Sequence, residues 1–148
     1  MTSTAIEIRL DGQAALQQRL ELLPAMNLDP LRHNVGALVE SQTRRRIHEE
    51  KESPDGKAWA PWGPNWASSR HKGHGLLEAE GDLLDSIHFV VAGGDILVGS
   101  DLVYAAIHQF SGAEVGMAIP ARPYLGMSDE NWGEVVDLAD AFVNRVLH

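Results

Sequence analysis

The stretch IHFVVAGGDILV, Ile87 to Val98, decides the fold. Ile87, Phe89 and Val91 alternate with His88 and Val90, the period of two that a half-buried strand requires. Gly93-Gly94-Asp95 then turns the chain into Ile96-Leu97-Val98, so the spacing predicts a β-hairpin. Upstream, Ile6, Ile8 and Leu10 alternate with Glu7 and Arg9, which predicts a further strand over Thr4 to Leu10. Helical spacing governs much of what remains. Leu16, Leu20 and Leu23 follow Asp11-Gly12 and stop at Pro24. Asp29-Pro30 reads as an N-cap and first helical residue, leading a face of Leu31, Val35, Leu38 and Val39 towards Ile47. Ser100 is placed to cap a short helix with Val103, Ala106, Ile107 and Phe110 on one face. Ser128 caps a last helix, with Asp129 and Glu130 favourable against its dipole and a stripe of Trp132, Val135, Val136, Ala139, Phe142, Val143 and Val146.

Strands and helices do not alternate strictly, so the expectation is an α+β fold. A small antiparallel sheet packs with N-terminal helices and a long C-terminal helix. A chain of 148 residues is expected to form one domain over 1–148 and to bury a core without metal or disulfide support.

From Glu49 to Gly75 the periodicity disappears. The segment holds the turn sequence Pro54-Asp55-Gly56, then Trp59, Trp62 and Trp66, then the polar run SSRHKGHG. It reads as a long arm or lid. Aromatic side chains concentrate where interfaces carry binding energy, so Trp59, Trp62 and Trp66 are candidate interface residues. Stacking of sugars or bases on the same rings is the competing reading.

The composition excludes several classes. No cysteine is present, which removes disulfides, thiolate zinc sites and cysteine nucleophiles. A net charge of −9 opposes tight, sequence-independent nucleic-acid binding, which depends on Lys and Arg against phosphates. No window approaches the ~20 apolar residues of a membrane span, and MTSTAIEIRLDG lacks the features of a signal peptide. The expected setting is the cytoplasm of the producing cell, with no membrane partner.

Three groups invite a chemical reading. Asp101, Tyr104 and His108 fall a turn or so apart, an acid, a phenol and an imidazole in line for acid–base work. Against this, no serine elbow or HExxH helix accompanies them, and buried rings with satisfied polar tips explain Tyr104 and His108 equally. His71 and His74 in HKGH are close enough to share a metal, but the second half of a four-ligand site is missing. Arg44-Arg45-Arg46 is followed by Glu49, Glu50 and Glu52, so ion pairing along the helix is expected. Three consecutive arginines on a helix point in three directions and form no patch. No cofactor motif is present.

The order of the segments carries more information than any one of them. The chain reads PDGKAWAPW, LLEAEGDLLDSIHF, ILVGSDLVYAAIHQFSG and IPARPYLGMSDEN in succession. This resembles the phage virion morphogenesis family, which includes tail-completion proteins of Mu-like and P2-like bacteriophages. The matching positions are Pro54, Asp55, Gly56 and Trp59, then Leu77, Gly81 and Leu83. Tyr104, Ala105, His108, Gln109 and Gly112 follow, and Pro120, Ala121, Arg122, Pro123 and Tyr124 complete the set. Ser111 stands where the family's glycine would follow the aromatic residue directly, and Glu80 where a threonine often precedes the middle glycine.

The resemblance implies a non-enzymatic virion protein at the head–tail junction or tail end, made and assembled in the host bacterial cytoplasm. It implies an oligomeric ring as partner to itself, contacts with other tail or connector proteins, and DNA passing through a channel without sticking. Tyr104, His108 and Arg122 would then be hydrogen-bonding struts. The alternative is a small metal-dependent or acid–base hydrolase using His71, His74, Tyr104 and His108. A carbohydrate- or host-surface-binding module built on the tryptophans is a third, weaker reading.

Overall fold

A computed structural model describes residues 4–8, 26–63, 75–78 and 81–147. The expected helix of Leu16, Leu20 and Leu23, the histidines 71 and 74, and Trp66 lie outside them.

The hairpin forms as its sequence predicts. Strand β2 (His88–Ala92) pairs antiparallel with β3 (Asp95–Ser100), and Ala92 faces Asp95 across the Gly93-Gly94 turn. Gly93 has φ +62° at the first central position, where two-residue hairpin turns favour glycine. Strand β1 (Thr4–Ile8) adds to the other side of β3, giving a three-stranded sheet in the order β1-β3-β2. The strand ends at Ile8; Arg9 and Leu10 lie outside the described residues. Gly99 makes this pairing close: a Cβ there would stand 2.6 Å from the Ala5 Cα.

Register puts Ile6, Val98 and Phe89 in one row and Ile8, Ile96 and Val91 in the next, on the same face. Ile8, Ile96 and Val98 are buried, and Ile6 and Phe89 pack against the core. Helix α1 (Asp29–Arg45) lies against the sheet with Leu31, Val35 and Val39 buried at four-residue spacing. Its Gly36 receives the Phe89 ring, which a Cβ would meet at 2.8 Å. The helix starts one residue earlier than Asp29-Pro30 suggests. Asp29 is already helical, Leu28 is the N-cap residue, and the Asn27 side chain accepts the Asp29 N–H at 3.0 Å. α1 continues into a π-helical turn, Arg46–Glu50, and ends at Lys51 with φ +56°. That residue's N–H reaches back to the Arg46 carbonyl at 2.9 Å.

A short helix α2 (Asp82–Ser86) follows Gly81, whose φ of +83° is one that a side chain rarely permits. Helix α3 (Ala105–Phe110) and one 3₁₀ turn (Ala113–Val115) come next. Helix α4 (Asp129–Leu147) packs on α1 with Asn131, Val135, Ala139, Phe142 and Val143 buried. Ser128 caps it as expected. Its Oγ accepts the Asn131 N–H at 3.1 Å, and Asn131 Oδ1 accepts the Ser128 N–H at 3.0 Å. This is the reciprocal geometry of a capping box. The fold is thus α+β, a three-stranded antiparallel sheet with one long helix early and another at the C-terminal end.

Two expected faces differ. Val146, in the stripe of α4, is 53% exposed. Around α3 the expected apolar face is split: Val103, before the helix, is 69% and Phe110 70% exposed, Ala106 and Ile107 are half-buried, and Ala105 is fully buried. Ser100 does not cap α3 directly. Its Oγ accepts the Leu102 N–H and meets the Ser86 hydroxyl, and the helix starts only at Ala105. With so short a helix, the backbone path from β3 fixes which side turns inward, and the pattern of apolar residues does not.

Candidate functional site

The four segments singled out in the sequence are distant along the chain, and three of them meet around the extended stretch 120–127. This stretch has no helix or strand of its own, so its backbone groups need partners from elsewhere. The partners are the side chains of the motifs.

Gln109 supplies the most direct case. Its Oε1 accepts the N–H of Tyr124 and of Leu125, both at 3.0 Å, and its Nε2 donates to the Leu125 carbonyl at 3.3 Å. One amide side chain therefore stands in for a neighbouring strand. The Tyr124 hydroxyl donates to the Ala105 carbonyl at 3.1 Å with its ring fully buried, and burial pushes that phenol well above its ordinary pKa. The Arg122 N–H donates to the His108 carbonyl at 2.7 Å. Its guanidinium, in a residue 6% exposed, donates to the carbonyls of Ala60 at 2.7 Å and Pro61 at 2.9 Å. Burial lowers the Arg122 pKa from its ordinary value. The Trp59 indole N–H donates to the Pro123 carbonyl at 2.9 Å.

The Pro54-Asp55-Gly56 turn completes the cluster. Gly56 has φ +85° and donates its N–H to Ser53; Asp55 Oδ1 accepts the Lys57 N–H at 3.1 Å. Pro54 sits on Gly126, where a Cβ would stand 2.6 Å from the proline Cγ. Gly112 donates its N–H to the Ile119 carbonyl at 2.9 Å and so closes the loop before Pro120.

At the centre lies Arg46, for which the sequence reading expected ion pairing along the helix. Arg46 is 1% exposed. Its Nη1 donates to the carbonyls of Tyr124 at 2.8 Å and Gly126 at 3.2 Å, and its Nη2 donates to Asn131 Oδ1. Gln42 supports the same asparagine by donating to its carbonyl at 3.1 Å. Asn131 thereby joins the α4 cap, α1 and the 120–127 stretch in one network. Ion pairing accounts for the other two arginines. Arg44 meets Glu40 at 3.3 Å and the Ile87 carbonyl at 2.7 Å, and Arg45 meets Glu50 at 3.1 Å and Glu134 at 3.0 Å. Hydrogen bonds hold Arg45 above its usual pKa, whereas burial lowers that of Arg46. The three do point in three directions, and the inward one organises the site. Spacing was the available signal: Leu31, Val35, Val39, Gln42 and Arg46 continue one buried stripe at steps of four, four, three and four.

Of the acid, the phenol and the imidazole, only His108 lies on α3. Asp101 and Tyr104 precede α3, and the Asp101 carboxylate stands 3.5 Å from His88 Nε2. Tyr104 and His108 do meet, edge to face with ring centres 5.8 Å apart. Yet Tyr104 is 39% exposed, contrary to the expectation of two buried rings. His108 is half-buried, and among the described residues its Nδ1 finds no hydrogen-bond partner. Burial, helped by the nearby Arg122 charge, lowers the His108 pKa. Among the described residues no three His, Cys, Asp or Glu side chains gather in a way that could hold a metal ion. Trp59 is 5% exposed and belongs to the core, so it anchors its loop on its own chain; Trp62 is half-buried.

A second clamp holds the other end of the arm. The ammonium of Lys51 donates to the carbonyls of Ile47 and Leu76 and pairs with Glu78 at 2.7 Å, while His48 meets the same carboxylate. Burial alone would raise the Glu78 pKa; the bonds from Lys51 and His48 outweigh it and hold the carboxyl below its usual range.

This is a site in which the side-chain donors and acceptors of the motifs are spent on backbone groups. A model of the phage virion morphogenesis family matches residues 11–144, nearly the whole chain. The chain belongs to the phage virion morphogenesis family. Family relatives have similar length and sequence. Protein G of Escherichia phage Mu, named for capsid assembly, is 31% identical over 122 residues, covering 76% of this chain and 78% of its own. The Mu-like prophage FluMu G protein 2 of Haemophilus influenzae is 28% identical over 144 residues, covering 93% and 96%. No solved structure matches the chain. Membership places it among proteins of phage virion morphogenesis, which are generally structural and assembly proteins.

Proposed function

We propose that this chain is a non-enzymatic virion protein that acts at the head–tail junction or the tail end, and that it works by fitting against other polypeptides. One observation supports this above the rest. The polar motif atoms of Gln109, Arg122, Trp59 and Tyr124 are bonded to backbone carbonyls and amides of the same chain, and so shape a surface instead of facing a substrate. The self-association expected from the sequence is then an oligomeric ring, in which each contact joins two different faces of the subunit. Other tail or connector proteins are its neighbours. The excess of acidic side chains, a net charge of −9, suits a channel that DNA passes without adhering. In this reading the protein is made in the host cytoplasm and retained in the virion.

Electron microscopy of particles produced without this protein tests the proposal. The expected result is untailed heads, unjoined parts or tails of uncontrolled length. Complete, infectious particles in normal yield would overturn it.

A further inference from the structure

Residues 75–78 form a turn that belongs to no helix or strand and is closed by its own backbone. The Glu78 N–H donates to the Gly75 carbonyl at 3.1 Å, and the Gly81 N–H donates to the Glu78 carbonyl at 2.6 Å. Among the described residues, the side-chain bonds that reach this turn from elsewhere come from two positions, in and just after the π-helical turn. Lys51 Nζ donates to the Leu76 carbonyl at 2.8 Å and to Glu78 Oε2 at 2.7 Å, and His48 Nδ1 meets Glu78 Oε1. The Glu78 carboxylate thus has a different partner on each oxygen. Leu76 and Leu77, both partly buried, pack from this turn against the core.

Three features set the turn apart from the structure beneath it. Leu77 has φ +62°, a left-handed conformation that leucine keeps only where its surroundings impose it, so release of the turn relieves strain. Gly75 leaves the space in which the bonds form: a Cβ there would stand 2.8 Å from Lys51 Nζ and run into the Glu78 carboxylate. The central network does not share these bonds, because the Arg46 guanidinium is spent on Tyr124, Gly126 and Asn131. The side chains of Glu78 and Lys51 keep 20% and 25% of their surface exposed and that of His48 64%, so water reaches the pairs. We propose that 75–78 is a strap with Glu78 as its latch, opening and closing as a unit while the sheet, α1 and α4 stay folded. Closed, it keeps Leu76 and Leu77 on the core; open, it frees both and lets the Leu77 backbone relax. This is a conformational device that goes beyond the assembly reading, and either can fail without the other.

Native-state hydrogen exchange of the purified full chain in low concentrations of urea tests it. The Glu78 and Gly81 amides should exchange through an opening that urea hardly affects, because little surface is exposed. The Val35 and Val39 amides of α1 should instead follow global unfolding, with its steep dependence on urea. Glu78→Ala should speed exchange at positions 78 and 81 about tenfold, with circular dichroism unchanged. Gly75→Ala, which fills the space of the latch from the other side, should do the same, and Glu78→Gln, which still accepts from Lys51, should do less. Exchange at Glu78 and Gly81 that depends on urea as steeply as at Val39 would overturn the proposal. So would Glu78→Ala and Gly75→Ala proteins that exchange there at the wild-type rate, or a Glu78→Ala protein that has lost its circular dichroism, since the latch would then belong to the core.

Discussion

The two sides of α3 have been put to opposite uses. On the inner side, Ala105, Gln109 and the His108 carbonyl bond to the 120–127 stretch, and Tyr124 and Arg46 are buried there with their polar atoms partnered. On the outer side, Phe110 faces solvent from the same short element, as does Val103 just before it. The inner region is complete within one chain and should govern stability. The outer region should contribute little to stability. Substitutions that separate folding from assembly can break this contrast or sharpen it.

Arg46→Leu should have the largest effect. It leaves the carbonyls of Tyr124 and Gly126 without their donor inside the core and removes one of two donors to Asn131 Oδ1. The expected loss is about 3 kcal/mol or more, read as a lower midpoint in urea unfolding. Next is Gly126→Ala, which must displace Pro54 and also adopt φ +139°; a loss of about 2 kcal/mol is expected by the same measurement. Tyr124→Phe removes one buried hydrogen bond to the Ala105 carbonyl, for about 1 kcal/mol.

A smaller effect comes with pH. The folded His108 pKa lies below its ordinary 6.5, so the unfolded chain takes up the proton first. The stability from neutral His108 is therefore complete above pH 6.5 and is lost as the pH falls through that value towards the depressed folded pKa. Glu78 is depressed from 4.5 and loses its contribution only at lower pH. Unfolding midpoints should thus decline first just below pH 6.5, and His108→Gln should flatten that first decline. Smallest of all, Phe110→Ser should change stability by no more than about 0.5 kcal/mol, whatever it does to assembly.

What was legible in the sequence was whatever depends on neighbours along the chain. The hairpin followed from period-two alternation around Gly93-Gly94, and the α4 cap from Ser128. The turn at Pro54-Asp55-Gly56 likewise followed from local residue chemistry. Contacts between distant segments were not legible. Nothing local says that the Trp59 indole meets Pro123, or that Gln109 replaces a strand for Tyr124 and Leu125. Arg46 was read as an ion-pairing residue because Glu49, Glu50 and Glu52 follow it, although its place at the end of the buried stripe Leu31, Val35, Val39 and Gln42 pointed inward. The outward face of α3 was misread because six residues are too few for periodicity to outweigh the way β3 delivers the chain.

Native-state hydrogen exchange at the amides of Arg122, Tyr124 and Leu125 tests the central claim most directly. These amides belong to no helix or strand, yet each is bonded to α3, through the His108 carbonyl or Gln109 Oε1. They should exchange as slowly as the central residues of β3, and the two at Tyr124 and Leu125 should lose that protection in Gln109→Ala. Exchange of all three at the rate of an open loop would contradict the account.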